Sequence, residues 1–344
     1  MSRRLSFLIT LIAFQACALF AENQHIPLQK GQSFTEPQTG VLFGRKIDGL
    51  SLFDATIFES KNLGVSVRYH NADESEKVDI YIYNDDLETI NDDNDQAQSK
   101  HQIKIAIDAI REFVKRGKYR NATIKDGLEI RTSKIEDDTL TLVTKRAKIE
   151  RLRAEKFVPA ETSISVATYQ NHFLKIRHTI PDDLTAKEIE QRRATVIHGL
   201  TIFLREHQLR PAIDAALEDY AADPLSEKGQ AAAGTLFAYA DVSELISISI
   251  STSYIPWLKT PKKNYEEDHY DKLGEIFLSA FIAGHVEDQL QNNTPDPYPG
   301  ILKQLEVYEK LKKRGDLKEP VPSYENWLKK KSDGTLKDHV ATLE

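Results

Sequence analysis

Leu63-Gly64-Val65-Ser66-Val67-Arg68-Tyr69 and, across the polar link Asn71-Ala72-Asp73-Glu74-Ser75, Val78-Asp79-Ile80-Tyr81-Ile82 form the segment that decides the fold. Leu63, Val65, Val67 and Tyr69 recur at a period of two, as do Val78, Ile80 and Ile82, so each run is a strand with one buried face. A link this short and polar joins antiparallel neighbours, because a parallel pair needs a crossover of a dozen residues or more.

Further strands are expected around Leu128–Thr132, Leu140–Thr144, Ala147–Val158, Ser163–Tyr169 and Phe173–Thr179, with short polar links such as Glu136-Asp137-Asp138. Between the first hairpin and this series, Asn91–Asp95 introduces a helix. Its apolar residues Ile103, Ala106, Ile107, Ile110, Phe113 and Val114 fall three and four apart, and Gly117 supplies the left-handed stop. Thr185-Ala186-Lys187-Glu188 is a capping box that opens a second helix burying Ile189, Val196, Leu200, Phe203 and Leu204. The fold class is α+β, an antiparallel sheet covered by helices.

From about Gln208 the pattern becomes mainly helical. Pro211 is expected to start a helix ending near Ala222, where Asp223-Pro224 breaks the chain, and a second helix follows over Ser226–Ala240. Ile246, Ile248 and Ile250 alternate with serines and predict one strand. A long helix from Tyr265 carries Tyr270, Leu273, Phe277, Ala280, Phe281 and Gly284 on one stripe; Tyr298–Lys313, Ser323–Lys330 and Thr335–Leu343 complete the set. Two domains are expected, 22–206 and 207–344. No Gly-, Ser- or Pro-rich linker separates them, so packing as one unit stays open.

The first residues set the compartment. Arg3 and Arg4 precede an apolar run, Leu5–Phe20, and the small residues Ala16, Ala18 and Ala21 lead into Glu22-Asn23-Gln24. This is the layout of a secretory signal peptide over 1–21, cut after Ala18 or Ala21. The run is short for a membrane span. A twin-arginine signal fits less well, since Phe7 falls one place late, and lipidation of Cys17 meets the wrong residues at Phe14 and Gln15.

Removing the leader takes the only Cys and the only Met, and two positive charges from a formal total of −7. A cysteine-free mature chain has no disulfide, thiol nucleophile, iron–sulfur cluster or Cys-ligated zinc. A large exported chain without disulfides suits a bacterial periplasm. With 46 Lys and Arg against 53 Asp and Glu, the chain lacks the basic excess that nucleic-acid binding requires.

Catalytic signatures are incomplete. Gly49-Leu50-Ser51-Leu52-Phe53 has half of a nucleophile elbow, with Phe53 where a second Gly is needed. Of the ten histidines none pairs with another at helical spacing. Glu266-Glu267-Asp268-His269 holds one Glu-x-x-His, and a di-iron bundle needs two. Asn91–Asp95 lacks the glycine and distal Glu of a calcium loop, and no phosphate-binding glycine loop occurs. No cofactor or metal is expected.

His178 shares a strand face with Leu174 and Ile176 and reads as a satisfied core histidine. Candidate contacts for a ligand or partner are His198, beside the buried face of its helix, and Tyr254, Pro256 and Trp257 in Tyr254-Ile255-Pro256-Trp257-Leu258. Trp257 can equally plug the core. The leading expectation is a soluble exported binding or accessory protein without catalytic machinery, its partner a small ligand or another envelope protein, with no transmembrane span in the mature chain. A metal-independent hydrolase with a spatially assembled site and a helical docking platform are the alternatives, decided by where His198, His178, Ser51, Asp79 and Glu266 lie.

Overall fold

The computed structural model describes residues 23–29, 32–91, 96–135, 138–153, 155–243, 245–292 and 295–343. The expected leader with Cys17, and residues 92–95 of the acidic loop, lie outside them.

In the first unit the strands are β1 (Gln24–Pro27), β2 (Phe34–Thr35), β3 (Leu42–Phe43), β4 (Lys46–Ile47), β5 (Leu50–Ile57), β6 (Val65–His70) and β7 (Lys77–Tyr83). Helix α1 (Ala97–Lys115) follows, then β8 (Tyr119–Ile124), β9 (Glu129–Ile135), β10 (Asp138–Arg153), β11 (Lys156–Tyr169) and β12 (His172–Pro181). The main sheet has ten strands in the order β1-β5-β6-β7-β12-β11-β10-β8, with β4 on β5 and β9 on β10; β2 and β3 pair separately. Every pairing is antiparallel. The fold is α+β.

The β6–β7 hairpin forms where the period of two placed it. Gly64 makes its entry possible: φ is +61°, and a Cβ there would lie 1.9 Å from the Ile82 carbonyl oxygen. One expected boundary is wrong. Leu140–Thr144 and Ala147–Val158 are not two strands; β10 runs unbroken from Asp138 to Arg153, and β11 starts at Lys156, paired with Arg153, inside the second expected strand. Lys145 and Arg146 suggest a break, but the ladder accommodates both, Lys145 donating to the Gly127 carbonyl at 2.7 Å and Arg146 pairing with Glu190 at 2.8 Å.

Helix α1 packs over β8, β10 and β11. Its Ile103, Ile107 and Ile110 join Val143, Ile149, Ile164 and Val166 in one buried cluster. Helix α2 (Ala186–Ala222) begins at the expected capping box, with Glu188 N–H donating to Thr185 Oγ1 at 3.3 Å and Thr185 N–H to Glu188 Oε2 at 2.8 Å. Its first half serves the opposite face: Phe203 packs edge-on against Phe43 and stacks on Tyr69, and buried Arg193 meets Glu161.

The chain divides into two compact units after His207. Pro211 does not start a helix; it sits inside α2. The apolar rhythm continues through it, with Leu200, Leu204, Ile213, Ala216 and Tyr220 all buried, and that burial outweighs the roughly 3 kcal/mol cost of an interior proline.

The second unit continues with α3 (Glu227–Val242), α4 (Glu267–Asn292), α5 (Pro297–Arg314), α6 (Pro322–Ser332) and α7 (Leu336–Val340). The strand expected at Ile246–Ile250 is absent among the described residues. The buried Gln289 side chain takes the place of a partner strand: its Oε1 accepts from Ser247 N–H and its Nε2 donates to the Ser247 carbonyl, both at 2.9 Å. One side-chain amide satisfies that residue's backbone, so no ladder is required. Trp257 lies at the centre of this unit, fully buried among Tyr265, Tyr270 and Phe277. No described helix is long and apolar enough to cross a membrane.

Candidate functional site

Beyond the edge of α1, the face of β7 and β12 on the α1 side floors an open cleft of about 620 Å³. Register fixes that floor. Phe173 stands opposite Tyr83, Lys175 opposite Tyr81, and Arg177 opposite Asp79, so these alternate residues point one way while Leu174 and Ile176 point the other. The wall comes from α1. Ala97, His101, Ile105, Ala109 and Phe113 line the cleft at intervals of four residues, one turn apart on a single flank. Sixteen steps of 1.5 Å from Ala97 to Phe113 make that stripe about 24 Å long.

The cleft is largely apolar, with its cations on the floor. Lys175 Nζ lies 4.2 Å from the ring centre of Tyr81 and 5.0 Å from that of Tyr83. Burial, with Arg177 adding like-charge repulsion, lowers the Lys175 ammonium to about 8. Arg177 donates to the Tyr119 hydroxyl, with its guanidinium 5.4 Å from that ring and 6.0 Å from Phe113. Its Nε is buried without an acceptor, and no carboxylate among the described residues lies within ion-pairing distance of it. Burial works against the Arg177 charge, but Tyr119, Tyr81 and Asp79 more than compensate.

Asp79 is committed elsewhere. It accepts from Arg68 Nε at 2.8 Å and pairs with Lys77 at 3.3 Å; burial would raise its carboxyl, but these two cations hold it below the usual range. The three carboxylates lining the cleft also have partners: Asp85 accepts from Gln102, Asp86 from Asn62, and Glu112 pairs with Lys115.

The residues selected from sequence lie apart from this cleft. His178 is buried, and its Nε2 meets Glu76 Oε1 at 2.8 Å; Arg192 contacts the other oxygen of Glu76. Burial lowers the imidazole; burial would raise Glu76, and His178 and Arg192 outweigh it. The adjacent void, about 10 Å³, is the size of one water. Ser51 is in line with His70, Lys77 and Thr179 across three strand spacings, about 14 Å, and His178 points to the opposite face from Thr179. Ser51, His178 and Asp79 therefore form no hydroxyl–imidazole–carboxylate array.

His198 is exposed on α2 beside β9, in a shallow groove with Arg131 and Lys134. Tyr254 stacks on Phe281 and its carbonyl accepts from buried Gln304, Pro256 is buried, and Trp257 donates through Nε1 to the Tyr270 carbonyl at 3.1 Å. These three belong to the packing of the second unit, whereas Glu266 is exposed there, its carbonyl accepting from Tyr270 N–H at 2.9 Å. His269 there bonds the Asp316 carbonyl at 3.0 Å. No three His, Cys, Asp or Glu side chains converge in metal-binding geometry among the described residues.

Sequence reasoning passed over Lys175, Arg177 and the 97–113 flank. Two signals were available: Tyr81 and Tyr83 stand in phase on β7, where a solvated face would be polar, and Ala97, Ile105 and Ala109 form a second apolar line beside the core stripe of α1.

No protein-family model matches the chain and no curated protein is similar to it. Among solved structures it is similar to the solution structure of cyanobacterial PsbP (CyanoP) from Synechocystis sp. PCC 6803. Identity is 12%, over 51% of this chain and 90% of that one, with a TM-score of 0.29, too low to bear on function.

Proposed function

We propose that this is a soluble exported protein that binds an elongated, mainly apolar small molecule in the cleft between α1 and the β7–β12 floor, without chemical turnover. The supporting observation is the cleft itself. Its volume of about 620 Å³ falls in the range of small-molecule sites, and its apolar walls with a few polar groups are the usual makeup of such sites. Lys175, whose ammonium is lowered to about 8 chiefly by burial, lies on its floor. Rigid strands supply that floor, so binding requires little ordering of the protein.

The test is fluorescence titration with the neutral probe N-phenylnaphthylamine, comparing the unaltered protein with Ala109→Trp, which fills the cleft from the helix side. Enhancement that saturates at one site and disappears in the variant is expected. Equal enhancement in both proteins, or none in either, contradicts the proposal. The export component is tested by intact mass of the chain from its own host. A mass beginning after Ala18 or Ala21 is expected; a retained leader or an acylated Cys17 overturns it.

A further inference from the structure

We infer that Ile246–Ile250 is a strand completed by a second copy of this chain, the two copies pairing there antiparallel about a two-fold axis. The inference is independent of the cleft. It starts from a mismatch between sequence and structure. Ile246-Ser247-Ile248-Ser249-Ile250 has the period of two of a strand, yet no strand of its own chain pairs with it among the described residues.

Gln289 shows which way this backbone faces. Its side-chain amide meets both the N–H and the carbonyl of Ser247, each at 2.9 Å, so both groups of that residue point to one side, as they do in an extended strand. Along extended backbone the direction alternates from residue to residue, which turns the N–H and carbonyl of Ile248 and Ile250 away from Gln289. Neither residue makes a backbone hydrogen bond among the described residues. Ile248 is half-buried, and Ser249 and Ile250 are exposed, so this edge faces solvent in the single chain.

Composition identifies the occupant. The segment reads the same in both directions. About an axis through Ile248, that residue meets its own copy, Ile246 meets Ile250, and Ser247 meets Ser249, so Ile lies on Ile along one face and Ser on Ser along the other. Ile250, 55% exposed in one copy, is covered by this pairing. Residues 245–258 contain no Asp, Glu, Lys, Arg or His in a chain that is 29% charged, so a second copy meets no like-charge repulsion. The Lys or Pro that commonly blocks strand addition is also missing from 245–255; the nearest are Pro256 and Lys259. A pairing this short covers less than the roughly 800 Å² per partner of a stable interface, so the dimer is weak, with a dissociation constant on the order of 100 μM.

The test is sedimentation velocity of the full chain, purified from its own host, over about 10 μM to 1 mM, with amide hydrogen exchange measured at both ends of the range. A shift from monomer to dimer is expected. Exchange at Ile248 and Ile250 should slow by about fivefold at the upper end, the inverse of the monomer fraction left there, while Ser247, held by Gln289 in either state, keeps its rate. Ile250→Lys places a charge against an isoleucine of the other copy and should weaken the dimer at least about tenfold, whereas Ile250→Val should leave it unchanged. If a thermal melt shows that the lysine variant does not fold, exchange on the unaltered protein decides. A chain that stays monomeric throughout, a dimer in which Ile248 and Ile250 exchange at the monomer rate, or a dimer that a folded Ile250→Lys leaves intact overturns the inference.

Discussion

Lys175 stands directly across the strand pair from Tyr81, with its ammonium 4.2 Å from the centre of that ring. The contact places a cation on an aromatic face at the floor of an apolar cleft. Burial there disfavours the charge and the ring offsets part of the cost.

His285 predicts an acid weakness in the second unit. Its ring packs edge-on against Phe281, and burial lowers it to about 4 despite Asp288 and Asp296. The folded state therefore favours the neutral ring: its contribution is complete above 6.5, the unfolded value, and is lost as pH falls from 6.5 toward 4. The span corresponds to about 3 kcal/mol. Urea denaturation across that range should show a shallower acid loss in His285→Leu than in the unaltered protein. His178 titrates in the same sense, so the loss is reduced rather than abolished. Identical pH profiles for the two proteins contradict this account.

The α4–α5 contact depends on two glycines. A Cβ on Gly284 would lie 2.5 Å from the Pro299 carbonyl oxygen, and one on Gly300 would lie 2.6 Å from the Phe281 ring. Gly284→Ala and Gly300→Ala should each destabilise by about 1–3 kcal/mol, the usual cost of overpacking. Gly234 on α3 is exposed, and a Cβ there meets nothing within 4 Å, so Gly234→Ala should instead stabilise by up to about 1 kcal/mol. Thermal melts of the three variants check the signs; destabilisation by Gly234→Ala equal to that of the other two would contradict the packing argument.

Arg193 and Glu161 join α2 to β11 by a bond of 2.5 Å with both side chains buried. Arg193→Leu should cost about 3 kcal/mol, because Glu161 remains buried with weaker compensation from Lys125 and Arg146. Chemical denaturation measures it. A cost below about 1 kcal/mol, the level of an exposed pair, would show that the bond does not hold the helix.

The fold was legible where one face is buried and the other is not. Val65, Val67 and Tyr69, the Thr185–Glu188 box and the Tyr270–Gly284 stripe each have a period that only one element satisfies. Reading failed where side chains supplied what backbone pairing normally supplies. Ile246–Ile250 carries a strand pattern, but the amide of Gln289, some forty residues away, holds Ser247. Pro211 reads as a helix start because the burial on both sides of it is not local information. The candidate site was least legible. Lys175 and Arg177 look like the solvated side of a strand, and only the offset of α1 toward β8, β10 and β11 makes that side a cleft floor.

The most direct test of the central claim is amide chemical-shift mapping on the full chain during an N-phenylnaphthylamine titration. The account predicts saturable shifts confined to Ile105, Ala109 and Phe113 on α1 and to Tyr81, Tyr83, Lys175 and Arg177 on the sheet. Shifts centred on Tyr254–Leu258 or around His198, or none at concentrations that saturate the fluorescence signal, would contradict it.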